Sequence, residues 1–118
     1  EFTIDKYDDV NRIILNFGKV GATYTIDDIQ FGLKQEDPMN NVLAGDASDF
    51  EGGTTGNWGS WGSNKESAEV EEGVGYNNSK ALALKNKGDG NAWEAQCAYT
   101  FDDALQEGKK YIIQFYCR

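Results

Sequence analysis

Apolar and polar residues alternate with a period of two through much of this chain, and that period belongs to strands. Residues 10–17, Val-Asn-Arg-Ile-Ile-Leu-Asn-Phe, put Ile13, Leu15 and Phe17 on one strand face and Arg12, Ile14 and Asn16 on the other, so the second face is only half apolar. A glycine-flanked turn at 18–21 leads into residues 23–31, and the two segments read as a hairpin. Within the second segment the apolar phase shifts at Asp27 and Asp28, from Tyr24 and Ile26 to Ile29 and Phe31, which a bulge or a bound ion would explain. Residues 33–41 hold the sole proline, Pro38, in a polar setting and read as a connector. Beyond it come a short segment at 42–43, a Gly/Thr/Asn/Ser-rich loop at 52–64, and strands near 67–71, 80–86, 92–101 and 110–117, with a tight turn at 107–109 dividing the last pair. No stretch keeps a 3.6-residue period over three turns, although 102–105 has room for one helical turn. The expected fold class is all-β, with two packed antiparallel sheets.

At 118 residues the chain has room for one compact domain that buries ~65% of its unfolded surface. Fourteen glycines against one proline agree with many tight turns. Twenty acidic against 11 basic side chains leave a net charge of -9, which repels phosphate backbones and excludes nucleic acid as a partner. No apolar run approaches the ~20 residues of a membrane span and the amino end carries no signal-peptide core, so no membrane partner is expected, and any export signal would lie outside this segment. Cys97 and Cys117 lack Cys-x-x-Cys or zinc-like spacing and read as buried free thiols rather than a disulfide.

The three tryptophans, Trp58, Trp61 and Trp93, all lie among Gly, Asn, Ser and Gln, and the chain has no histidine. Flat indoles beside amides that both donate and accept suit a pyranose, which offers apolar C–H faces inside a rim of hydroxyls. Catalysis is not expected. Without histidine the Ser-His and Cys-His nucleophile arrangements are excluded. The neighbouring acids Glu71-Glu72 and Asp102-Asp103 would point to opposite strand faces, not across ~5 Å at a glycosidic bond.

The segments Gly52-Gly, Gly56-Asn-Trp58, Gly75-Tyr-Asn-Asn-Ser-Lys80, Ala92-Trp-Glu-Ala-Gln96 and Gly108-Lys-Lys-Tyr, with Asp49-Phe50-Glu51 before them, resemble the opening two-thirds of family 4 carbohydrate-binding modules and their family 9 and 22 relatives. Residues 10–18 and 24–29 resemble the same family's closing hairpin, placed here before its opening strands. Such modules have ~150 residues, so a middle portion of ~30 to 40 is missing, and the chain looks permuted or cut across two tandem modules. The resemblance implies a jelly-roll β-sandwich in which a hairpin at 1–32 packs with residues 42–118, within one chain or by strand exchange or edge pairing with another. It also implies a secreted or cell-surface, non-catalytic module that binds a β-1,4-linked glycan, chiefly xylan, for an attached glycoside hydrolase such as a xylanase.

By the same resemblance, Trp93 stacks on a sugar, Gln96 bonds its hydroxyls, Arg12 and Asn16 contact it across an Ile14 floor, and Trp61 is a further contact. Trp58 is expected to pack as a lid over the core, and Tyr76 to be a loop aromatic. Glu51, Asp27, Asn77 and the Lys80 carbonyl correspond to positions that enclose a structural calcium, for which hard oxygen ligands from separate loops are suited. The competing reading is a β-sandwich that spaces domains or contacts proteins within a larger secreted protein. It requires that Trp93, Gln96, Arg12 and Asn16 do not share one exposed face.

Overall fold

The computed structural model describes residues 2–3, 10–34, 40–106 and 108–118. Its strands are β1 (Phe2–Thr3), β2 (Arg12–Asn16), β3 (Thr23–Leu33), β4 (Gly59–Trp61), β5 (Lys65–Glu71), β6 (Ala81–Asn86), β7 (Gln96–Thr100) and β8 (Lys110–Cys117). They form a five-stranded antiparallel sheet in the order β1-β8-β3-β6-β5 and a three-stranded one in the order β2-β7-β4. Among the described residues there is no α-helix, only short 3-10 turns. The expected all-β, two-sheet architecture is what the chain adopts.

Alternation places the core. From the large sheet Ile26, Ile29, Phe31, Leu82, Leu84 and Tyr111 point inward, and from the small one Phe17 and Cys97, all nearly inaccessible. Phe31 stacks on Tyr111 at 5.3 Å and on Phe101 at 5.1 Å. Trp58 is buried, and its indole N–H donates to the Ala47 carbonyl at 2.8 Å, as a desolvated indole must find an acceptor.

Several expectations need correction. Residues 10–17 and 23–31 are not a hairpin: among the described residues β2 pairs with β7, while β3 pairs with β6 and β8 in the other sheet. The reason lies in the link between them, whose polar groups are satisfied from far along the chain rather than locally. The Asn86 amide donates to the Phe17 and Val20 carbonyls and accepts from Ala22 N–H, and Asp89 accepts from Gly21 N–H. The link is therefore a corner that carries the chain from one sheet to the other. Residues 59–61, within the expected loop, form β4, and 92–94 are a 3-10 turn rather than the start of a strand. Residues 42–43 and 102–105 form neither strand nor helix, although Leu43 is buried.

The connector's residues 35–39, with Pro38, and Glu107 of the 107–109 turn lie outside the described residues; Leu33 closes β3. The phase shift at Asp27 and Asp28 is a bulge, with the register against β8 slipping there and Asp28 at φ 48. Both cysteines are free thiols, but only Cys97 is buried. Cys117 lies opposite Ile26 on the core-facing side of β8, where the narrow second sheet leaves it and Phe115 uncovered.

Candidate functional site

The outer face of the three-stranded sheet is built by pairing register. Arg12 lies opposite Thr100, Ile14 opposite Ala98 and Asn16 opposite Gln96, while on the other side of β7 Ala98 faces Gly59 and Gln96 faces Trp61. Three rows result. Asn16, Gln96 and Trp61 form one wall, and Gln96 Nε2 donates to Asn16 Oδ1 at 2.8 Å. Arg12 and Thr100 form the other, with Arg12 Nε donating to Thr100 Oγ1 at 3.2 Å. Between them Ile14, Ala98 and Gly59 make a low floor, because two of the three carry a methyl or nothing. The walls are four residues apart, about 13 Å along the strands.

Across that floor the Arg12 guanidinium reaches within 5.9 Å of the Trp61 ring centroid, inside cation–π range. Each long side chain is thereby given a preferred orientation while staying accessible. Ile14 is 43% exposed and Trp61 41%, so an aliphatic side chain and an indole are both open, while Ala98 in the middle of the floor is buried.

Trp93 stands at the end of this face, on the 3-10 turn Ala92–Glu94 that leads into β7. Its turn is clamped from both edges. Phe17 N–H and Gly18 N–H donate to Ala95 and Ala92 carbonyls, and Asn64 N–H donates to Glu94 O. Glu94 also accepts from Asn91 N–H at 2.8 Å, closing the turn on itself. A side chain at Gly18 or Gly62 would collide with this backbone, and Gly62 has a φ of 124, so both glycines are needed for the approach. Trp93 is left 64% exposed, without hydrogen-bond or ring partner among the described residues.

Arg12, Asn16, Gln96 and Trp61 are thus brought onto one face and Trp93 to its end. Sequence reasoning missed Ala98, Gly59 and Thr100. Alternation would have found Ala98 and Thr100 once the strand was started at Gln96.

The four calcium candidates fall at the opposite side. The buried Asp27 accepts from Asp28 N–H, Tyr76 N–H and Ser79 Oγ, fastening the 75–79 loop to the bulge of β3. Asp27 Oδ2 and the Lys80 carbonyl converge near Gly75 Cα, where a Cβ would strike both. Glu51 accepts from Lys80 N–H at 2.9 Å, and Asn77 sits in the same loop at φ 55. Among the described residues no group of three or more His, Cys, Asp or Glu could hold a metal. An ion here would draw on two carboxylates plus carbonyl and amide oxygens, a hard donor set that fits calcium. Burial, then the charges of Asp27, Asp49 and Glu51, raise the Asp28 pKa, so this corner carries concentrated negative charge.

A β-sandwich that presents an open face of indoles, amides and a guanidinium is a binding module. The family model for the carbohydrate binding domain of the CBM 4 and 9 type matches residues 46–118, and the chain belongs to that family. No match was found among curated proteins or among solved structures. Domains of this family are non-catalytic and take a polysaccharide ligand. The matched region contains β4 to β8 with Trp61, Trp93 and Gln96, whereas Arg12 and Asn16 come from the preceding segment.

Proposed function

We propose that the domain binds a neutral β-1,4-linked plant polysaccharide, xylan, across the outer face of β2, β7 and β4, and so holds an attached xylan-degrading glycoside hydrolase near its polymer. The observation that carries this reading is the Asn16–Gln96–Trp61 wall facing Arg12 across the Ile14–Ala98–Gly59 floor, with Trp93 at the end. Ring C–H faces would stack on the indoles while hydroxyls bond the amide pair and the guanidinium. The net charge of -9 favours an uncharged polymer over an anionic one. Tethering raises the effective substrate concentration without altering the hydrolase's chemistry. Affinity should be modest, on the order of micromolar to millimolar, because one or two stacked rings and a wet rim leave little surplus over ordering costs. Such a module works where plant polymer is found, outside the cell.

Affinity electrophoresis in xylan, mixed-linkage β-glucan and mannan tests class and ligand together. Retardation in xylan that Trp93→Ala and Gln96→Ala reduce is the expected result. No retardation in any of the three gels would favour the spacer reading.

A structural calcium held by Asp27, Glu51, Asn77 and the Lys80 carbonyl belongs to the same proposal. It would neutralise the acidic corner and tie β3 to the 75–80 loop. Millimolar Ca²⁺ should raise the thermal midpoint of the wild type and not that of Asp27→Ala or Glu51→Ala. An equal rise in all three would remove the ion from this site.

A further inference from the structure

The outer face of the five-stranded sheet repeats the chemistry of the small one. Gln114 Nε2 on β8 donates to Gln30 Oε1 on β3 at 2.8 Å, a cross-strand amide pair like Asn16–Gln96. Next along β8 on the same face is Tyr116, 50% exposed, and Tyr76 stacks on it with ring centroids 4.0 Å apart and planes 11° from parallel. The proximity of the Tyr76 phenol, ahead of burial and the charge of Asp28, raises the Tyr116 pKa. Asp27 fixes Tyr76 through its backbone N–H. The tyrosines line a depression of about 370 Å³ together with Thr25, Asn78 and Arg118, and Tyr116 also borders a neighbouring one of about 400 Å³ with Gln30 and Gln114. Asn78, at φ 62, is exposed, and its side-chain amide has no partner among the described residues.

We infer that this face is a second, independent glycan-binding site, in which a neutral oligosaccharide stacks on the Tyr116–Tyr76 pair and its hydroxyls bond Gln114, Asn78 and Arg118. Rigid phenol rings supply apolar area with few rotors, and amides and a guanidinium satisfy hydroxyls of either polarity. Nothing in it uses the small sheet, so the two sites can fail separately. Two sites on opposite sheets let one module bridge two chains of polymer, or strengthen attachment to one surface by raising effective concentration.

The test is an NMR titration of the ¹⁵N-labelled domain with xylohexaose, cellohexaose and mannohexaose. Saturable shifts at Gln114, Tyr116 and Asn78 are expected with at least one of them, and Tyr116→Ala should weaken those shifts roughly fivefold in affinity while leaving shifts at Gln96 and Trp61 unchanged. Gln114→Ala, exposed on the same face, serves as the second variant if the first does not keep a folded spectrum. Shifts confined to the small sheet would overturn this inference and leave the first site standing. Shifts confined to the large sheet would do the reverse. Silence at both faces with all three probes would overturn both.

Discussion

The two outer faces use one vocabulary and differ in how they spend it. On the small sheet the aromatic groups are indoles standing apart: among the described residues Trp93 has no hydrogen-bond or ring partner, and Trp61 is paired with a guanidinium. On the large sheet the aromatics are phenols stacked on each other, so each ring has already used one face. The first arrangement leaves more area for a sugar but must still order the Trp93 ring on binding. The second is organised beforehand and offers less surface. Both rest on a cross-strand amide pair at 2.8 Å, and in each the pair joins strands far apart in sequence. The small face should therefore bind more tightly, and the large one should change less when it does.

The largest expected effect comes from the corner that holds the faces in place. Asn86 is 7% exposed and donates to the Phe17 and Val20 carbonyls while accepting from Ala22 and Gly88 N–H. Asn86→Leu leaves the buried Phe17 carbonyl and three part-buried backbone groups without this partner and should cost about 3 kcal/mol. A fall in the thermal midpoint of roughly 10 to 15 °C would follow. Because the Phe17 carbonyl directly follows β2, small-face binding should suffer before large-face binding. A thermal scan by circular dichroism checks the first point, and equal loss at both faces would break the second.

Trp93→Ala comes next. The ring is 64% exposed and has no hydrogen-bond or ring partner among the described residues, so stability should stay within about 0.5 kcal/mol of wild type. Small-face affinity should drop about tenfold, from lost stacking and lost area together. Calorimetric titration separates this from misfolding. A smaller change is expected for Arg12→Ala, about threefold, since its cation–π and Thr100 contacts are exposed and each contributes little. If Arg12→Ala tightened binding instead, the guanidinium would be blocking the Trp61 ring rather than serving the sugar.

How much of this could be read beforehand depended on how local each signal was. The strands at 67–71, 80–86 and 110–117, the phase shift at Asp27 and Asp28, and the shared face of Arg12, Ile14 and Asn16 follow from alternation, which needs only neighbours. The hairpin was misread because turn residues at 18–21 report a change of direction and not its destination. That is decided by bonds to Asn86 and Asp89, more than sixty residues away. β4 is hidden because a three-residue strand that starts at Gly59, between Gly56 and Gly62, has the composition of a loop, and pairing with β7 makes it a strand. The start of β7 was misplaced for a related reason: residues 92–94 are apolar and aromatic enough for a strand, but the clamp from Gly18 and Asn64 curls them into a turn. The large-sheet site could not be seen in the sequence, since Tyr76 and Tyr116 are 40 positions apart and no period links them.

The smallest effect sets the two sheets against each other through their cysteines. Cys97 and Cys117 both occupy core-facing positions, yet the large sheet covers Cys97 while the three-stranded sheet leaves Cys117 open. Burial pushes the Cys97 thiol up to about 11, so at pH 8 only about a thousandth of it is thiolate, the form that reacts. A disulfide reagent should modify one thiol per native chain, at Cys117, and two after unfolding. The same shift has a pH consequence. Unfolded, this thiol would ionise near its ordinary value of 9.0, whereas folded it keeps its proton to about 11. Its contribution is therefore complete below 9 and is lost as pH rises through that window. The Lys85 ammonium, raised first by its hydrogen bond to Glu71, acts in the same direction. Replacing Cys97 with Val should flatten part of the alkaline fall in stability, and an unchanged slope would mean that water already reaches the thiol between the sheets.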